Sequence, residues 1–285
     1  MQTSSFRGLD FFIKRDDLLS RDFSGNKARK FLYFLKNPPL DLSSIISYGS
    51  NQSNAMYSLS VLAKYLEVDF LYVCHHVPNF LKQNPIGNYQ KALENGMQIF
   101  ENEDPQSFYR SLGDEKSLHI KEGGAEHFSE FGIKKLAHEL NEWAGDKIFD
   151  IFLPSGTGTT AVFLQKHTHL KVFTCPCVGD EAYLRKQFFQ LVSDERHHPS
   201  ILNPPKKYHF GKPKIELLQM WQDLKKQTNI EFDLLYDPAG WISIFENIKA
   251  FQNPLLYIHQ GGVLGNVSLL QRYEYKFGTN QITQK

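Results

Sequence analysis

The run Ile13-Lys14-Arg15-Asp16-Asp17-Leu18, followed by Ser24-Gly25-Asn26-Lys27-Ala28-Arg29-Lys30, decides how the rest of the chain is read. A β-rich stretch, Phe11 to Lys14, gives way to a glycine and then to a segment of helical length, Asn26 to Leu35. On a helix Lys27 and Lys30, three apart, emerge on one face. Their charges repel, and cations at a helix N-terminus oppose the macrodipole. Two readings stand: a solvated basic helix start, or a site where a bound anion, or conversion of one lysine to an imine, relieves the conflict.

Outward from this point, short β-rich runs alternate with helical stretches, the pattern of crossovers covering a parallel sheet. Strands are expected at Phe11–Lys14, Ser44–Tyr48, Phe70–Val73, Gln98–Phe100, Phe149–Leu153, Leu170–Phe173 and Leu255–Ile258. Helices are expected at Asn54–Leu66, Asn88–Asn95, Phe131–Trp143 and Thr159–Lys166 as well. No Gly/Ser linker and no repeat separates two halves, so the lobes must interleave. The proline-rich stretch from His197 to Lys207 reads as a surface loop, and its adjacent histidines lack helical metal-ligand spacing.

Two further turns carry small polar residues at a strand end. Tyr48-Gly49-Ser50-Asn51-Gln52-Ser53-Asn54 leads into a helix; its Ser or Asn is an ordinary N-cap, yet such a place is also where open α/β sheets bind ligands. Leu153-Pro154-Ser155-Gly156-Thr157-Gly158-Thr159-Thr160 gathers backbone N–H groups and hydroxyls into a phosphate cup. No Gly-Lys-Ser/Thr follows it, which argues against a nucleoside-triphosphate loop.

Composition narrows the class. With 32 Lys plus Arg against 31 Asp plus Glu, the formal charge of +1 indicates neither nucleic-acid nor membrane binding. The 23 Phe and 13 Tyr are read as core filler. Three cysteines, Cys74, Cys175 and Cys177, make no disulfide framework or zinc set, and are read as core thiols in a reducing compartment. The N-terminal stretch lacks the apolar run of a signal peptide and no segment is long enough to span a membrane, so the expected location is the cytoplasm.

In order and spacing these turns resemble the family of 1-aminocyclopropane-1-carboxylate deaminase and D-cysteine desulfhydrase, pyridoxal-phosphate enzymes of fold type II. The likeness extends to Asn84-Pro85-Ile86-Gly87-Asn88, Gly123-Gly124, Phe131-Gly132, Asp237-Pro238 and His259-Gln260-Gly261-Gly262. It implies an α/β fold of two interleaved, open, twisted, mostly parallel sheets flanked by helices, with pyridoxal 5'-phosphate in the cleft between lobes. It also implies a large cofactor-binding domain, residues 1–40 and 145–285, with a small domain, 41–144, inserted in it.

By the same resemblance Lys27 forms the imine and Lys30 meets the phosphate, Ser53 serves the substrate carboxylate or shuttles a proton, and Asn54 contacts the cofactor's 3′ oxygen. Gly156, Thr157, Gly158, Thr159 and Thr160 take the phosphate, and Gln260 stands near the pyridine ring. The partner is a small amino acid, and family members are often dimers, although this chain shows no long apolar seam. Where the family continues Asp-Pro with a tyrosine, this chain has Ala239-Gly240-Trp241, and Gln260 replaces a threonine. The first expectation is therefore β-elimination from a small amino acid such as D-cysteine, the second cyclopropane deamination, and a third, of another class, a non-catalytic pyridoxal-phosphate binding protein. A lysine acting as base at neutral pH needs a desolvated pocket to lower its pKa from about 10.4.

Overall fold

Alternation along the strands places the core. The strands, in chain order, are β1 (Gln2–Phe6), β2 (Leu9–Arg15), β3 (Ser44–Tyr48), β4 (Asp69–Cys74), β5 (Met97–Glu101), β6 (Ser117–Ile120), β7 (Asp150–Ser155), β8 (Lys171–Pro176), β9 (Ser200–Ile201) and β10 (Leu255–His259). These come from a computed structural model that describes residues 1–279; residues 280–285, the end of the expected large domain, lie outside the described residues. Among the described residues they form a six-stranded sheet, ordered β1-β2-β10-β7-β8-β9, and a four-stranded sheet, ordered β5-β4-β3-β6.

The chain divides into two units, one made of Met1–Leu19 with the chain from Ile133 onward, the other of Ser20–Gly132. In the first, every pairing is parallel except β1 with β2. Residues two apart on a strand share a face, so Ile151 and Leu153 enter one core with Val172, Leu256 and Ile258, while Phe152 enters the other with Phe173, Leu255 and Tyr257. Apolar cover on both faces is what a parallel sheet requires. Cys175 and Cys177 are free and buried in the second of these cores, as core thiols should be.

The second unit holds an all-parallel sheet. Its helices Gly25–Lys36 and Asn54–Leu66 place Ala28, Phe31 and Phe34 in one core with Met56, Leu59 and Leu62. That packing moves the expected boundary at residue 40 to Leu19/Ser20, so Lys27 and Lys30 belong to the unit of Ser53 and Asn54. The far boundary falls at Gly132/Ile133 rather than at 144, because Ile133, Leu136 and Leu140 pack with the other unit's core.

The expected loop from His197 to Lys207 contains β9, whose Ser200 and Ile201 pair with Phe173 and Thr174 of β8. A two-residue strand among prolines carries no periodic signal. Helices at Glu181–Leu191, Ile215–Thr228, Asp237–Glu246 and Asn266–Phe277 add to those expected. Pro238 sits in the first turn of the third, where its missing N–H costs nothing.

Trp241, on that helix, is fully buried against Phe6, Phe11 and Tyr257, at ring separations of 5.3, 4.8 and 5.0 Å. Its indole Nε1 has no hydrogen-bond partner. Trp241→Ala is expected to lower the unfolding free energy by about 3–5 kcal/mol in urea titration, as for other large-to-small core changes. Trp241→Phe also removes the unpartnered N–H and should cost about 1.5 kcal/mol or less.

Candidate active site

In the unit Ser20–Gly132 the first group is the turn that carries the two lysines. Gly25, with φ +70°, opens the helix Gly25–Lys36, and its N-cap Ser24 makes no side-chain cap bond. Lys27 is half-buried on the next turn, whereas Lys30 is 2 % exposed and sends its Nζ to the carbonyl of Gly123 at 3.0 Å. Loss of water, and then the charge of Lys27, hold the Lys30 ammonium well below the usual lysine range. Gly124, at φ +63°, makes this approach feasible: a Cβ there would stand 2.7 Å from the Phe31 ring and 3.6 Å from Cδ of Lys30.

The loop after β3 forms the facing part of the same unit. Ser53 is the N-cap of Asn54–Leu66, its Oγ accepting from the N–H groups of Ala55 at 3.1 Å and Met56 at 3.4 Å. The capping role weighed from sequence is therefore real, and the hydroxyl proton is turned to Tyr72. Asn54 receives the buried Asn88 amide on its Oδ1 at 2.7 Å. Asn88 also bonds the Gln52 carbonyl at 2.9 Å, fixing the loop's curve.

Two residues that sequence reasoning missed close on this loop. Gly49, at φ +145°, could not carry a Cβ, which would stand 2.7 Å from the Tyr72 hydroxyl and 2.9 Å from Oε1 of Glu122. The buried Tyr72 donates to the Ser50 carbonyl at 3.1 Å. Burial, then the charge of Glu122, push its phenol pKa well above the usual range, against a hydrogen bond with Ser53. Glu122 is open to solvent on one side, yet crowding raises its carboxyl pKa while Lys27 pulls it down. Tyr72 looked like strand filler in Phe70-Leu71-Tyr72-Val73, and Glu122 drew no notice beside the glycines that follow it.

The unit containing β7 holds the rest of the expected site. The strand β7 ends at Ser155 and the helix Thr159–His167 begins with Gly158 as its N-cap, at φ +71°, without a side-chain cap bond. The helix start thus presents backbone N–H groups to the loop Gly156–Thr160, and the hydroxyls of Thr157 and Thr159 stand 2.9 Å apart. Phe188 and Leu184 back Gly158 so closely that a Cβ would strike both. A Cβ on Gly156 would lie 3.3 Å from the Tyr236 hydroxyl, so this phenol, one residue before Asp237-Pro238, reaches the cup.

Gln260, half-buried, donates its amide to the Pro154 carbonyl at 2.6 Å, at the end of the strand that feeds the cup. His259 is buried; its Nε2 lies 2.8 Å from the Glu231 carbonyl and its Nδ1 accepts from the Gly261 N–H at 3.2 Å. Burial lowers its pKa, against the charge of Asp17, so the ring acts as a neutral support for Gln260-Gly261. Asp237 is buried too, accepting from the Tyr257 hydroxyl at 2.6 Å and the Asp233 N–H at 2.8 Å, and burial pushes its pKa well up. Where a family tyrosine would follow Asp-Pro, Gly240 packs tightly on Phe152 and Pro154, and Trp241 is core.

Among the described residues no cluster of His, Cys, Asp and Glu could hold a metal, and no helix is long and apolar enough to cross a membrane.

Comparison with known proteins bears on the fold. No family model matches the chain. The bifunctional D-cysteine desulfhydrase/1-aminocyclopropane-1-carboxylate deaminase of Arabidopsis thaliana mitochondria is 24% identical over 300 residues, covering 90% of this chain and 73% of that protein. The crystal structure of a homologue of 1-aminocyclopropane-1-carboxylate deaminase superimposes with a TM-score of 0.77 at 21% identity, covering 93% of this chain and 89% of the other. A pyridoxal 5'-phosphate-dependent aspartate racemase shares the fold at a TM-score of 0.64 and 14% identity, over 92% of this chain and 89% of its own. The chain is thus a homologue of proteins named for 1-aminocyclopropane-1-carboxylate deaminase and D-cysteine desulfhydrase activity, and its α/β architecture is that of the fold type II pyridoxal-phosphate enzymes.

Proposed function

We propose that this chain is a pyridoxal-phosphate-dependent lyase that deaminates a small amino acid by β-elimination, with D-cysteine as the model substrate. The observation that carries the reading is the desolvated Lys30 amine, one helical turn from Lys27 and bonded to Gly123. A buried amine with its affinity for protons lowered is expensive unless an anion completes its surroundings.

Each unit, taken by itself, carries residue types that such a cofactor calls for. The helix start at Gly158 has no side-chain cap, so its N–H groups and the hydroxyls of Thr157, Thr159 and Thr160 suit a phosphate. Within the unit Ser20–Gly132, Lys27 would hold the aldehyde carbon through its ε-amine, with Lys30 a further cation one helical turn away. Asn54, with Oδ1 engaged by Asn88, would offer its N–H₂ to the 3′ oxygen, and Gln260 would border the ring. When bound, the group supplies an electron sink for charge developing at the substrate α-carbon.

The chain's own residues do the rest. The Lys27 nitrogen takes the α-proton and returns it, which requires that nitrogen to lose its own proton readily. Lys30 assists by opposing a second positive charge nearby. Ser53, its oxygen engaged as a cap, would turn its O–H from Tyr72 to the substrate carboxylate when one binds. With the C–S bond broken, sulfide leaving the β-carbon with a proton, and one water consumed as the C–N bond hydrolyses, the net products are hydrogen sulfide, pyruvate and ammonia. Burial of Trp241 and close packing of Gly240 leave no tyrosine after Asp237-Pro238, which places ring opening of a cyclopropane substrate second.

Addition of pyridoxal phosphate should turn the protein yellow, and incubation with D-cysteine should release sulfide and pyruvate in equal amounts. Lys27→Ala should abolish both. Sulfide release at the wild-type rate by that variant would sink the assignment of Lys27, and a coloured wild type inert toward D-cysteine but active on the cyclopropane amino acid would reverse the order of substrates.

Lys30 also makes a prediction about stability. Its folded-state pKa lies below the unfolded value of about 10.4, so between those two limits the unfolded chain binds more protons and cofactor-free stability rises with pH. Lys30→Met should therefore stabilise the cofactor-free chain by about 1–3 kcal/mol at pH 7 in urea titration. The gap should narrow as pH approaches 10, while affinity for pyridoxal phosphate falls.

A further inference from the structure

We propose that Tyr236 is a ligand of the anion held by the loop Gly156–Thr160, donating its phenolic O–H to the phosphate ester of the cofactor. The inference deepens the reading of that loop as a phosphate cup and rests on it.

Contacts within one unit fix where this phenol stands. A Cβ on Gly156 would lie 3.3 Å from the Tyr236 hydroxyl, 3.4 Å from Cε1 and 3.8 Å from Cζ, so the edge of the half-buried ring rests against a bare α-carbon at the start of the loop. Glycine admits the ring there, whereas a side chain would push on it. The Phe210 ring also packs on Tyr236, at 5.4 Å between centroids. The backbone is held as firmly: Oδ1 of Asp233 accepts from the N–H groups of Leu235 at 2.6 Å and Tyr236 at 3.2 Å, and Asp237 accepts the Asp233 N–H at 2.8 Å. Cys177 ties this turn to the cup, its N–H bonded to the Ser155 carbonyl at 2.8 Å and its thiol donating to the Tyr236 carbonyl at 3.8 Å.

The chemistry of the cup leaves room for such a donor. The helix Thr159–His167 starts without a side-chain cap, so its first N–H groups turn to the loop. The hydroxyls of Thr157 and Thr159, 2.9 Å apart, bond to each other, which commits one of the two protons inside the loop. A phosphate ester presents several strong acceptor oxygens. A phenol donates to them without bringing a charge of its own, and its oxygen can accept another bond while it does so. Bonds from a neutral donor to a charged acceptor are shorter and stronger than neutral pairs. The place in the chain matters as well. Trp241, after Asp237-Pro238, is buried in the core, and the phenol arrives from the residue before that pair, where it meets Gly156.

The test is binding to the full chain, measured without turnover. Absorbance titration gives the affinity for pyridoxal phosphate and for pyridoxal, which lacks the phosphate, and calorimetry gives the affinity for inorganic phosphate. Tyr236→Phe should weaken pyridoxal phosphate and inorganic phosphate each about tenfold, the scale of one hydrogen bond to a charged acceptor, and leave pyridoxal unchanged. Gly156→Ala, which sets a methyl group against the phenol, should weaken the same two ligands and spare pyridoxal; it decides the matter if Tyr236→Phe loses the wild-type urea midpoint. Unchanged phosphate affinity in a folded variant, or an equal loss for pyridoxal, would overturn the proposal. A wild type that takes up inorganic phosphate but neither pyridoxal compound would defeat the functional reading, while the phosphate comparison would still decide the role of Tyr236. A wild type that binds neither phosphate nor pyridoxal phosphate would overturn both.

Discussion

The constraint on which the rest depends is the dry ammonium of Lys30. A lysine at 2 % exposure gives up most of its hydration and recovers a single carbonyl at 3.0 Å, so its surroundings must be built around it. Gly123 and Gly124 supply that setting: one offers its carbonyl, the other lacks the Cβ that would collide with Phe31. The helix Gly25–Lys36 in turn is anchored by Ala28, Phe31 and Phe34 in the core beneath. Lys27 is placed by the same turn, one step nearer to solvent.

The two units solve their part of the problem in the same way. Each ends a buried parallel strand in a glycine-bearing loop and opens a helix behind it: β3 into Gly49–Ser53, β7 into Gly156–Gly158. The difference lies in the caps. Ser53 caps its own helix and fixes the loop, whereas the helix after Gly158 has no side-chain cap and leaves its amides for an anion. One loop is held in shape by its own cap, and the other is not.

Much of this was legible in the sequence because it rests on local rules. The runs Ser44–Tyr48 and Asn54–Leu66 form the expected strand and helix with unchanged ends, since β-branched residues and an N-cap serine define both. The hairpin at the N-terminus was not legible: Arg7 and Gly8 both adopt positive φ in a two-residue turn, and an arginine there gives no warning. Tyr72 and Glu122 were missed for a different reason. Their importance comes from meeting at Gly49, a contact between β4, the turn after β6 and the loop after β3 that no single stretch encodes. The sequence also drew attention to Trp241 as an odd residue at a site position; the structure assigns it to the core, where it packs against Phe11 of β2 and Tyr257 of β10.

The nitrogen that takes up the aldehyde carbon is the most direct thing to measure. Reduction of the pyridoxal-phosphate-treated protein with borohydride, followed by proteolysis and peptide mass mapping, should leave the phosphopyridoxyl group on Lys27 in near-stoichiometric yield. Label on another lysine, or spread over surface lysines with Lys27 unmodified, would contradict it.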